Sequence, residues 1–285
     1  MAAAEPDDEE TSSRSTRTSK LWAEVRMDPV EIALPGGVGY TLRAYRSSTE
    51  IEPREVVRGE EDLDDFDAAS AAVARRRRPT DDEEDEAEEA VEELDEEFEE
   101  PDAEDFEDEA DEEEDEDEDE EEEEQEVPVF LGRNGRVFLF HSQEKLVEFV
   151  KSGAEHDLSQ VDTWSTLVKK ITKVDVVPLD DDIYELDLVV ENLRGGPDAW
   201  DAGLILKAGE IARDLGFALR LEPVMIALSA GTPLDDLDEA LRSSEGGGVG
   251  SFFAKRKLKK IPAQQSSLAW RTIIGKISAA AEWQD

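Results

Sequence analysis

Cysteine is absent from all 285 residues, and histidine occurs only twice, at His141 and His156. The first absence excludes disulfides and thiolate metal sites and fits a reducing compartment. The second leaves no histidine-rich metal constellation, and neither histidine stands in a spacing such as H-E-x-x-H. Both are read as surface or helix-capping residues. No apolar run approaches the roughly 18 residues of a membrane span, and Met1 to Glu10 lacks the basic and apolar regions of a secretory leader. The expectation is a soluble cytoplasmic protein with no membrane partner.

Basic residues are missing from one stretch altogether. Between Asp81 and Glu126, 46 residues include 36 acids and no Lys or Arg, out of a net charge of −46 for the chain. The remaining 239 residues carry a net charge of only −10. Catalytic signatures are missing too. There is no G-x-S-x-G elbow. Gly246 to Ser251 is glycine-rich like a phosphate loop, but no Lys-Ser/Thr pair follows and no strand precedes it. Asp180, Asp181 and Asp182 suggest a cation site only weakly, because acids at a helix start are favourable in themselves. No enzymatic activity, metal or cofactor is expected.

What is present reads as an α+β fold. Residues 1–20 are expected to be a disordered tail, being too poor in apolar residues to offset the entropy of ordering. In residues 21–58, Val30, Ile32 and Leu34 alternate before Pro35-Gly36-Gly37, and Tyr40, Leu42 and Ala44 alternate after it, predicting an antiparallel hairpin with one buried face. A short helix is predicted between Glu60 and Arg78, inside an acidic, mostly disordered insertion over 59–126. Asn134-Gly135 between Val127–Leu131 and Arg136–Phe140 predicts a second hairpin with a type I′ turn. A helix capped by Ser142 and stopped by Gly153 follows.

The globular body over 127–243 is completed by predicted helices at 159–172, 183–193, 197–215 and after Thr232-Pro233, with a strand at 174–177. Residues 244–261 read as a Gly-rich linker and basic patch, and 262–285 as a last helix capped by Ser266 or Ser267, with Trp270, Ile273, Ile274 and Ile277 on one stripe. The two hairpins are expected to share one small antiparallel sheet across the acidic insertion, covered by helices. A long loop raises the closure entropy only slowly.

Two charged elements are candidate contact sites. Within the acidic tract, Glu83 opens a segment in which Ala87, Val91, Leu94 and Phe98 recur at helical spacing, with Phe106 beyond it. Such an arm suits a basic, grooved protein partner. Alternatives are a solvated spacer, or a mimic of nucleic acid, which would require helix to bring the charges to a DNA-like spacing. The second element is Lys255, Arg256, Lys257, Lys259 and Lys260 beside Phe252 and Phe253. It suits phosphates and bases, or pairing with the chain's own acidic tract.

The strings Leu21-Trp22-Ala23-Glu24-Val25-Arg26, Tyr40-Thr41-Leu42-Arg43-Ala44-Tyr45-Arg46 and Val127-Pro128-Val129-Phe130-Leu131-Gly132-Arg133-Asn134-Gly135, divided by an acidic insert, have a familiar layout. It resembles a group of high-GC actinobacterial proteins often labelled "primosomal protein". The resemblance implies a role linked to DNA replication or restart and supplies no catalytic residues. The reading is therefore a non-enzymatic interaction or adaptor protein acting through the acidic arm and basic patch, with an accessory replication protein contacting nucleic acid or a DNA-binding partner as the alternative.

Overall fold

The computed structural model describes residues 14–47, 126–246 and 248–284, all of which belong to one structural unit. The acidic-arm residues Glu83, Ala87, Val91, Leu94, Phe98 and Phe106, the predicted 60–78 helix and residues 1–13 lie outside them.

The fold is α+β, a small sheet covered by helices. Helix α1 (Thr16–Val25) leads into β1 (Asp28–Leu34) and β2 (Gly37–Ser47). The two strands pair antiparallel from Asp28↔Arg43 to Leu34↔Gly37. β3 (Glu126–Phe130), β4 (Gly132–Arg133) and β5 (Arg136–Phe140) follow. β3 lies antiparallel on β2, from Arg43↔Phe130 to Ser47↔Glu126, so the sheet is shared across residues 48–125 as expected.

Two further strands join parallel. β6 (Ile183–Glu185) runs beside β1, and β7 (Ala281–Gln284) beside β5. The main order is β4-β5-β2-β1-β6, which places the N-terminal strands at its centre.

The second hairpin is shorter than predicted. Asn134 (φ 56°) and Gly135 (φ 76°) form the left-handed pair of a type I′ turn, but only β4 pairs with β5, while Val127–Phe130 pairs with β2. Gly132 marks the break. A Cβ there would lie 2.1 Å from the Arg136 carbonyl oxygen.

Both faces of the sheet are buried, not one. Val30, Ile32, Leu34, Val137 and Leu139 face one core, while Leu42, Ala44, Phe138 and Phe140 face another. Successive strand residues point to opposite faces, so two-sided cover turns β5 into an unbroken apolar run. Each fully buried Val, Leu, Ile or Phe contributes roughly 1.5–3 kcal/mol.

The second core is closed by α1, α2 (Gln143–Ser152) and α3 (Trp164–Lys170). Ser142 and Gly153 bound α2 as predicted, the serine hydroxyl accepting from the Lys145 N–H at 3.3 Å and Gly153 turning left-handed. Helix α1 begins before Leu21, inside the expected tail, because Ser15 caps it and Arg14 and Arg17 have buried partners. The predicted 159–172 helix is split into a 3₁₀ turn at Asp157–Gln160 and α3. Residues 174–177 are not a strand. The Thr172 and Asp175 side chains close a capping box that winds Lys173–Asp175 into a 3₁₀ turn.

The first core is closed by α4 (Leu186–Arg194), α5 (Ala202–Ala218), α6 (Glu222–Ala227), α7 (Pro233–Glu245), α8 (Gly248–Lys260) and α9 (Ala263–Ala280). The start of the predicted 183–193 helix is strand β6. Helix α5 starts not at Pro197 but after Asp201, whose carboxylate accepts from the Leu204 N–H at 3.0 Å. Trp200 holds the preceding turn by donating to the Leu193 carbonyl at 2.9 Å. Gly216 lies within α5 and does not end it.

Of the expected Gly-rich linker, Ser244 and Glu245 end α7 and residues 248–251 begin α8. Packing against α7 overrides the weak helix propensity of glycine, and the Ser251 hydroxyl donates to the Ser244 carbonyl at 2.8 Å. Pro262, not Ser266 or Ser267, precedes α9. Those two serines are buried inside it, donating to the Pro262 and Gln264 carbonyls. The stripe of Trp270, Ile273, Ile274 and Ile277 is buried as predicted.

Candidate functional site

The polar arrangement that fixes the two halves of the chain is centred on Arg43. Its neighbours in β2 show why it is inside: Leu42 and Ala44 face the second core, so Thr41, Arg43 and Tyr45 face the helices of the first. The Arg43 guanidinium donates to Asp182 at 2.9 Å, to Asp214 on α5 at 2.9 Å and to the Tyr184 hydroxyl at 3.0 Å. Tyr45 donates to Asp214 at 2.6 Å and Tyr184 to Glu210 at 3.2 Å. Arg14 reaches Asp182 at 3.5 Å and Asp28 at 3.4 Å.

Burial works against the charge on Arg43, but the Tyr184 and Tyr45 oxygens, Asp214 and Asp182 outweigh it and hold its pKa above the ordinary value. Burial pushes the Tyr184 and Tyr45 hydroxyls well up. The Asp182 carboxyl is also raised, because burial and the Asp28 charge outweigh Arg43 and Arg14. Asp182 thus serves as an anchor, and Asp180–Asp182 forms a 3₁₀ turn. Among the described residues no group of His, Asp and Glu side chains is placed to hold a metal.

A second anchor lies at Asp175. Its carbonyl accepts from the Trp22 indole at 2.7 Å, and its carboxylate accepts from the Thr18 hydroxyl at 3.3 Å and the Thr172 N–H at 2.9 Å. These bonds hold α1 on the body. His156 holds the N-cap position of the Asp157–Gln160 turn, as a capping residue would, but is buried and not at the surface, with its ring 4.2 Å from that of Trp164. His141 stacks on Trp283 at 4.4 Å.

Apart from these anchors, the surface holds an open cleft of about 1080 Å³. Its floor is β3 and the Asn134-Gly135 turn, one wall is the 157–163 segment, and the other is the end of α5 with the start of α6. Apolar lining comes from Val127, Val129, Phe217 and Met225; Arg26, Arg46 and Arg220 alternate with Glu24, Asp157, Asp162 and Glu222. Of these, Phe217 and Met225 are 47% and 37% exposed; Ile226, 56% exposed, lies outside the lining. A Cβ at Gly216 would fall 2.9 Å from the Met225 sulfur, so the glycine lets that thioether lie against α5.

The basic patch lies elsewhere, on α8. Lys257 pairs with Glu239 at 2.8 Å and Asp236 at 3.3 Å, and Lys259 with Asp198 at 3.4 Å. Lys255, Arg256 and Lys260 have no ion pair among the described residues. The patch is thus partly engaged by acids of the body itself.

The cleft residues were not among the sequence candidates. Phe217 carried a signal, since it falls off the buried stripe of Ile205, Ala208, Ala212 and Leu215. Arg43 carried another, as a cation in the inward parity of a strand.

An α+β unit with a two-sided sheet and a broad mixed-polarity cleft defines the class to which this chain can be assigned. A family model described as the SatS C-terminal domain matches residues 122–275, and the chain belongs to that family. A solved structure described as "The crystal structure of SatS c-terminal domain in complex with bromine" is similar to it at 20% identity and a TM-score of 0.55, covering 92% of this chain and 96% of that one. That likeness concerns the fold. Comparison with curated proteins gives no match.

Proposed function

We propose that the protein is a non-enzymatic interaction protein of the adaptor type, taking a polypeptide segment of a partner into the cleft between β3 and the α5–α6 corner. The observation that carries this reading is the exposed apolar pair Phe217 and Met225 lining the cleft where α5 meets α6, with Ile226 exposed beside them. At about 1080 Å³ the open cleft has room for several side chains of an extended segment. Its interspersed charges of both signs suit a chain with its own polar backbone and mixed side chains.

The mode is side-chain capture, not strand addition. Leu131 donates to the Leu42 carbonyl at 2.9 Å, so by alternation Val129 and Val127 face β2 and Pro128 faces the outer edge, where it has no N–H to offer. The acid-rich residues 81–126 are the second contact element, drawing a basic partner by long-range attraction. Binding of the full chain to arrayed peptides tests the reading. The triple variant F217S/M225S/I226S is expected to lose binding at least tenfold with an unchanged circular dichroism spectrum, and undiminished binding would refute it.

An accessory replication protein touching nucleic acid remains the second reading, supported by the Phe252, Phe253 and lysine content of α8. With Lys257 and Lys259 paired internally, its cationic footprint is small.

A further inference from the structure

Helix α8 docks on the body through Ser251, Ala254 and Leu258, buried residues spaced by three and four. At about 100° per residue, the side directly opposite carries Phe252, Arg256, Lys260 and Phe253 within an arc of roughly 100°. Phe252 is 68% exposed and Phe253 61%. Lys255 lies about 60° outside that arc, toward the docked side of the helix. The outermost ridge of the helix therefore combines two adjacent aromatic rings with Arg256 and Lys260, two of the three cations of this helix that lack ion pairs among the described residues.

A helix face kept only for solubility would be polar throughout. Here two phenylalanines project into solvent beside cations, the composition of helices that settle at the boundary between water and lipid, where cations meet phosphates and rings enter the acyl region. The long Lys and Arg stems allow the charged heads to reach phosphates while the rings sit deeper. Base stacking would instead need an open aromatic face. Phe252 and Phe253 meet nearly perpendicular, with ring planes at 79° and centroids 5.8 Å apart, which makes a wedge and not a stacking platform.

We propose that the outward face of α8, formed by Phe252, Phe253, Arg256 and Lys260, docks on an anionic phospholipid surface. Contact is peripheral, since no helix among the described residues is long and apolar enough to cross a membrane. It revises the sequence-based expectation of no membrane partner and uses none of the cleft residues. The negative charge of residues 81–126 opposes approach to the same surface, so the face needs both its apolar and its cationic contributions to hold.

The test is flotation of the full chain with phosphatidylcholine vesicles and with vesicles of phosphatidylcholine and phosphatidylglycerol, at near-physiological salt. Binding is expected to the second and not to the first. R256Q/K260Q should weaken it by about fivefold per cation, roughly 25-fold together, and F252S/F253S by at least roughly tenfold. K257Q/K259Q, which removes internally paired lysines, should change it little. All these positions are exposed, so an unchanged circular dichroism spectrum establishes that the variants fold. Absence of binding to the anionic vesicles, or binding indifferent to both sets of substitutions, overturns the proposal. Binding of an oligothymidylate that the same substitutions abolish, with no vesicle binding, also overturns it and assigns the face to nucleic acid.

Discussion

Ser47 and Glu126 are paired neighbours across β2 and β3, although 78 residues separate them in the sequence. The chain leaves the sheet at one residue and re-enters it at the other. Residues 48–125 are thus an insertion at a point where the sheet already holds both ends together.

Replacing residues 50–124 by a four-residue Gly-Ser linker should therefore preserve the fold. Shortening the loop between Ser47 and Glu126 about elevenfold removes about 2 kcal/mol of closure entropy cost. Thermal unfolding followed by circular dichroism should show a midpoint equal to or above that of the full chain. A large drop would mean that the insertion contributes structure to the sheet unit.

Removing the Asp175 carboxylate should unmoor α1. Asp175→Ala leaves the Thr18 and Thr172 donors without their buried acceptor, and about 2–4 kcal/mol of stability is expected to be lost in urea unfolding. Trp22→Phe, which leaves the Asp175 carbonyl without its indole donor, should cost about 1–3 kcal/mol. Losses under 0.5 kcal/mol in both would contradict the anchoring role.

The raised pKa of Asp182 gives a pH dependence of definite sign. A carboxyl whose pKa is higher in the folded state contributes most below its unfolded value, and that contribution is lost as pH rises through the folded value. The stability of the wild type minus that of Asp182→Asn should fall as pH rises from the ordinary carboxylate range to the raised folded value, then level off. Urea unfolding across pH 3 to 7 measures it. A difference that grows with pH would contradict the assignment.

Gly39 provides a fourth test. A Cβ there would meet the Leu139 Cβ and the Trp283 ring at 2.9 Å each. Gly39→Ala should displace Trp283 from its stack on His141 and loosen β7, seen as a shift in tryptophan emission and faster amide exchange over 281–284. Unchanged exchange would show that the ring accommodates the methyl.

Much of this fold was legible in local signals. The Asn134-Gly135 turn, the Ser142 and Thr232 caps and the α9 stripe each depend on a few neighbouring residues, and each stands where the pattern put it. What local pattern could not supply was pairing at a distance. Val127–Phe130 joins β2 and not β5, and β6 and β7 are short strands recruited to edges created by other strands. The Gly-rich start of α8 was misread for the same reason, since its order comes from packing on α7. The cleft has no motif because its apolar residues come from β3, α5 and α6, which only the fold brings together. Of the sequence candidates, the lysine patch is on the described body, with Lys257 and Lys259 in internal ion pairs, Arg256 and Lys260 on the outward face of α8 and Lys255 to its side.

The central claim, that the cleft receives a polypeptide, is tested most directly by photo-crosslinking. A benzophenone side chain at position 225, facing the cleft, and one at position 188, exposed on α4 and away from it, are compared in the full chain against a mixture of defined peptides. Peptide adducts from position 225 that far exceed those from 188, and that unlabelled peptide suppresses, are the expected result. Equal labelling from both positions, or none from 225, would contradict the claim.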